Sequence, residues 1–180
     1  MNIVLTFNMR LQPQDRHDLE DVLDQFLEDE NLGEIVGGGT SISKEGEPES
    51  CDISIDLNHD DNLEKIIHLL TQMNVVAKGS SYRIGEESSN SFGTLVGVAI
   101  YLNGTDLADE VYQENDVNDL ISEILDEMGE NNRIFSWWDG PRETAFYFYG
   151  QELAPLMAVL QEKQQTHPLC EKSRLVVLVE

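Results

Sequence analysis

Cationic side chains are what this sequence has least of. Its 180 residues carry 11 Lys and Arg against 35 Asp and Glu, a formal charge of −24 at pH 7. Such a surface repels phosphate backbones and anionic headgroups and attracts basic partners. The expectation is therefore no direct nucleic-acid binding, no membrane association, and a basic protein partner. Cysteine is nearly as scarce. Cys51 and Cys170 stand far apart without CxxC spacing, which suits neither a zinc site nor a disulfide framework. Both read as small buried apolar residues in a reducing compartment. No apolar run approaches the ~20 residues of a membrane span. The opening MNIVLTFNMRLQPQ lacks the basic start and long apolar core of a signal peptide. The expected location is the cytoplasm.

Catalytic motifs are also lacking. The four histidines, His17, His59, His68 and His167, show no HExxH or comparable ligand spacing. His59 precedes Asp60 and Asp61, a string that reads as a strand-to-helix turn with either acid as N-cap more readily than as a metal site. Cys51 alternates inward with Ile53, which argues against a nucleophile. Asp52 and Asp56 share a strand face, as paired carboxylates do in hydrolases, but two solvated acids on an open sheet explain them more simply. No enzyme, metal or cofactor is expected.

Periodicity supplies the elements. NIVLTFNM reads as a strand with Ile3, Leu5, Phe7 and Met9 on one face. QDRHDLEDVLDQFLEDE puts Leu19, Val22, Leu23, Phe26 and Leu27 on one helical stripe. A strand over 35–43, the alternating CDISIDL, the helix DNLEKIIHLLTQM and the weaker strand VVAKGSSYRIG complete a first β-α-β-β-α-β series. The series repeats: TLVGVAIYL, DVNDLISEILDEMG, a hairpin of NRIFSWW and ETAFYFYG around Asp139–Arg142, QELAPLMAVLQEKQ, and SRLVVLV. The predicted fold is α+β, two tandem ferredoxin-like units over 1–86 and 93–180. The Ser/Gly-rich GEESSNSFG at 85–93 reads as the linker between them.

Three consecutive glycines, Gly37 to Gly39, fall where the first helix hands over to the second strand. A phosphate loop needs the reverse order, strand then helix, and a following Lys. The expectation is structural: a turn with a bulged or closely approached edge strand. The segment GEIVGGGT followed by an acidic loop and CDISIDL, residues 33–57, resembles small bacterial proteins of toxin–immunity type. That resemblance implies a non-enzymatic binder of a toxin domain, with tandem ferredoxin-like units as its scaffold. It assigns no individual residue.

Charge and aromatics point to a surface. Between Asp106 and Glu130 lie ten acids and no base, including Asp106, Asp109, Glu110, Glu114, Asp116, Asp119 and Glu123. Such runs are usually solvated helix faces; they also steer basic partners. The adjacent Trp137 and Trp138 point to opposite sides of their strand, with Asp139 beginning the turn. One indole therefore supplies a contact anchor. The second sheet is apolar on both faces, so each face needs a cover: the first repeat, a second copy in a homodimer, or a partner. The leading expectation is an acidic immunity protein neutralising a basic bacterial toxin domain, a nuclease being one such target. The alternative is a tandem ferredoxin-like regulatory module binding a small ligand between its repeats.

Overall fold

The computed structural model describes residues 1–180 and divides into two compact units, Met1–Leu95 and Val96–Glu180. The first unit runs β1 (Asn2–Phe7), α1 (Pro13–Asp29), β2 (Gly33–Ile42), β3 (Pro48–Leu57), α2 (Asn62–Gln72), β4 (Ser80–Ile84) and β5 (Asn90–Phe92). Its sheet has the order β2-β3-β1-β4-β5, with antiparallel pairing throughout. The first four strands have the split β-α-β order of a ferredoxin-like unit. Alternation in β1 and β3 sends Ile3, Leu5, Phe7, Cys51, Ile53, Ile55 and Leu57 inward, where they meet Leu23, Leu27, Ile66 and Leu70 of the helices. The opposite face carries rows such as Asn2 beside Asp56 and Thr6 beside Asp52.

Two expectations are corrected here. Val22 is 48% exposed, whereas Arg16 is buried. The sheet-facing line of α1 runs through Arg16, Glu20, Leu23 and Leu27, and at about 100° per residue Val22 falls more than a quarter-turn from it. The stretch at 85–93 is not a bare linker either. Asn90–Phe92 pairs with β4 as β5, and the Phe92 ring packs 6.0 Å from Phe7 and 6.1 Å from Tyr82. Gly93 then turns with φ +102 so close to the Ala77 carbonyl that any Cβ would collide. Leu95 rejoins the unit through its amide, which donates to Val76 O at 3.0 Å.

The second unit runs β6 (Val96–Asn103), α3 (Asp109–Glu114), α4 (Val117–Met128), β7 (Arg133–Asp139), β8 (Glu143–Gly150), α5 (Leu153–Thr166), a single 3-10 turn (Pro168–Cys170) and β9 (Arg174–Val179). Its sheet order, β7-β8-β6-β9, is again ferredoxin-like. Val98, Ile100, Phe146 and Phe148 face Leu120 and Ile124 of α4 and Leu156 and Leu160 of α5 in one core. Tyr101, Tyr147 and Tyr149, on the other face, are also buried. The short α3 was not foreseen from the periodicity.

The glycine triplet is strand, not turn. Gly37 and Gly39 have open space where a side chain would stand. Gly38 faces α1, where a Cβ would strike the Arg16–Glu20 ion pair and approach Asp52 O to 2.9 Å. The expected bulge is present, between Ile35 and Gly37. Gly38 thus lets a polar helix side chain pair lie directly on the strand backbone.

Candidate functional site

The acidic run becomes a loop and two helices on one side of the second sheet. Asp106 follows β6; its carboxylate lies 3.6 Å from Arg142 of the β7–β8 turn, and its backbone carbonyl accepts from Lys172 Nζ at 2.6 Å. Asp109 and Glu110 occupy the first turn of α3, where the helix dipole favours negative charge. Asp116 caps α4, its side chain accepting from Asn118 N at 2.8 Å, and Asp119 sits in the first turn beyond. Glu123 and Glu127 point to α5, where both accept from Lys163 Nζ, at 3.0 and 2.8 Å.

That arrangement separates two kinds of carboxylate. Glu123 and Glu127 share the one cation on α5, and Asp106 pairs loosely with Arg142. Asp109, Glu110, Glu114, Asp116, Asp119, Asp126 and Glu130 are exposed with no cation at ion-pairing distance. Their uncompensated charges project a negative field into solvent. The Lys163 contact had a sequence signal, since Lys163 continues the Leu156–Leu160 stripe of α5 and so faces the helix beside it.

The hairpin resolves the tryptophans. A bulge between Ile134 and Ser136 shifts the register, so Trp137 pairs with Phe146 and Trp138 with Ala145. Trp137 is 53% exposed and stacks on Phe146, ring centroids 6.5 Å apart. It stands on the same side of the sheet as α4, because Phe146 belongs to the core that α4 covers. Trp138 is buried, its indole lying over Gly140 in the turn. As a contact residue Trp138 is therefore corrected: it shares the Tyr101 face of the sheet and is buried there. Asp139 is exposed and accepts from Thr144 Oγ1 at 3.0 Å. The structure thus brings Trp137 and the acids of α4 to one side of a single sheet, and Arg142 ties Asp106 to the hairpin turn.

The residues weighed for chemistry lie apart. Asp52 and Asp56 are four positions apart on one strand, ~13 Å at strand rise, against roughly 5–9.5 Å for the carboxylate pair of a glycosidase. Asp56 lies 3.4 Å from the N-terminal ammonium. Asp61 occupies the N-cap position of α2, but its side chain makes no capping bond; the buried Asn62 instead donates to Leu32 O at 2.9 Å. Burial pushes the Cys51 thiol up to about 12 and that of Cys170 to about 11. Both therefore stay protonated and unreactive at neutral pH. No group of three or more His, Cys, Asp or Glu converges as a metal site would need. No helix is long and apolar enough to cross a membrane.

No known family and no curated protein matches the sequence. Among solved structures, the chain is similar to the first two RRM domains of a yeast poly(U)-binding protein, at 10% identity over 99% of each chain and a TM-score of 0.29. It is also similar to a candidate monooxygenase of Fusobacterium nucleatum, at 9% identity over 99% of this chain and 91% of that one, TM-score 0.33. A third likeness is to a candidate transcriptional repressor of the glycine cleavage system, at 10% identity, 99% and 96% coverage and TM-score 0.32. The tandem architecture rests on this chain's own strand order. Likenesses at this level say nothing of what it binds.

Proposed function

We propose that this chain is a non-enzymatic binding protein that captures a basic protein partner on the α3–α4 side of its second unit. The observation that carries the reading is the set of exposed carboxylates without cation partners on α3 and α4, set on the same side of the sheet as the exposed Trp137. Uncompensated charge accelerates encounter with a basic surface, and a stacked indole gives that surface something to desolvate against. The resemblance of residues 33–57 to toxin–immunity proteins suggests the class of partner, a basic toxin domain such as a nuclease.

Capture from an extract of the source organism on immobilised protein tests this. The expected catch is a basic protein released by raising salt, toxic when expressed alone and harmless when this chain is co-expressed. Capture of a nucleic acid, or co-purification of a stoichiometric small metabolite with no protein caught, would overturn the reading. The metabolite result would favour a small-ligand regulatory module instead.

A further inference from the structure

The outer edge of β2 is a second surface, in the first unit. β2 is the outermost strand of its sheet, ten residues long, and pairs only with β3. No backbone group of residues 34–42 has a further backbone partner on the outer side. Edge strands are normally guarded by an inward charge, a Lys or a Pro. Gly33–Ile42 contains no Lys and no Pro, and Lys44 lies beyond its end. Only bulges interrupt it, after Ile35 and before Ile42. Val36 and Ile42 are 52% and 48% exposed, and Gly37 and Gly39 between them carry no side chain to obstruct the edge.

We propose that this edge takes an extended, basic segment of a partner protein as an added strand. Backbone hydrogen bonds would supply the pairing, and Val36 and Ile42 the apolar contacts. Charge selects the occupant. The first unit holds nineteen Asp and Glu against six Lys and Arg, and Glu34, Asp52 and Asp56 are exposed on or beside β2. Two copies meeting edge to edge would oppose those carboxylates to their own kind, whereas a Lys-bearing strand would pair with them. The high acidity thus guards an otherwise open edge against self-association while leaving it open to a cation-bearing strand. This surface stands independently of the reading given for α4.

The test uses the whole chain and a blocked, fluorescein-labelled ten-residue peptide alternating Lys and Val. Anisotropy should show saturable binding, and hydrogen exchange should slow at residues 34–42. N-methylation of alternate amides on the peptide's pairing edge keeps its charge and removes its donors, so affinity should fall at least about tenfold. Gly39→Lys, whose side chain enters open space, should weaken binding about fivefold with no loss of thermal stability. Absence of binding, equal binding of the methylated peptide, or protection confined to α4 would overturn the proposal. A peptide-free dimer in sedimentation with residues 34–42 already protected would do so as well, because the occupant would then be a second copy.

Discussion

Lys163 of α5 donates to Glu127 of α4 across 2.8 Å, with only 9% of the lysine side chain exposed. It also donates to Glu123, one turn away, so the ammonium ties the two helices of the second unit together. Its aliphatic stem continues the apolar stripe while its charge faces the acids.

This contact sets a pH dependence. The hydrogen bond from Lys163 holds the Glu123 carboxyl below its ordinary 4.5, and the one from Arg174 does the same for Glu143. The bonds to Glu127 and Glu123 hold Lys163 above its ordinary 10.5. A lowered carboxylate stabilises the fold above its unfolded pKa and loses that contribution as pH falls through the folded value. A raised ammonium stabilises below its unfolded pKa and loses its contribution as pH rises through the folded value. Stability should therefore be flat near neutrality, fall below about pH 4.5 and fall again above about 10.5. Melting curves of Lys163→Met should lose less stability than wild type between pH 6 and pH 3, with the Glu143 part retained. Parallel acid limbs would contradict the assignment.

The glycine triplet should respond with opposite signs. Gly38→Val forces a side chain onto Arg16, Glu20 and the Asp52 carbonyl, and should cost about 1–3 kcal/mol in urea unfolding. Gly37→Ala and Gly39→Ala meet no atom and need no left-handed backbone, so each should gain roughly 0.5–1 kcal/mol.

The adjacent tryptophans should separate stability from binding. Trp138→Ala removes a buried indole and should cost about 3–5 kcal/mol on unfolding. Trp137→Ala should cost far less stability but speed partner dissociation, by on the order of 2 kcal/mol or more. Calorimetry and surface-resonance kinetics read the two effects. A Trp137 variant with wild-type dissociation would remove it from the interface.

Charge acts at the other kinetic step. Asp116 caps a helix and Glu123 binds Lys163, so neutralising them alters folding as well as field. Glu110→Gln, Asp119→Asn and Asp126→Asn together are cleaner. They should slow association several-fold at low salt, with the difference shrinking as ionic strength brings the screening length to about 8 Å or less. Equal association rates across a stopped-flow salt series would count against steering.

Where sequence period and burial coincide, the fold was legible. CDISIDL alternates cleanly because β3 packs one face and solvates the other, and α4 shows its stripe because one sheet receives it. What escaped was local. The bulge after Ile134 shifts strand parity without any glycine or proline to mark it, so the outward tryptophan was undetermined. Arg16 and Lys163 occupy sheet- or helix-facing positions that apolar periodicity assigns to aliphatics; each is accommodated by a carboxylate four residues along or on the neighbouring helix. β5 hid in a polar sequence because three residues on an edge need no apolar alternation. The seven exposed acids of α3 and α4 were visible as a run, but which of its members were already neutralised depended on α5.

The strand alternation that sends Trp137 and Trp138 to opposite faces also equips the molecule with two fluorophores in unlike surroundings. The indole in water emits at longer wavelength and meets dissolved quenchers; its neighbour, 8% exposed, is shielded from them. The acidic surface adds a polarity to that contrast: caesium is concentrated near the accessible indole, whereas iodide is repelled. The pair of quenchers reads the electrostatic potential at the hairpin optically, with no label attached, and a basic partner settling there would reverse their order.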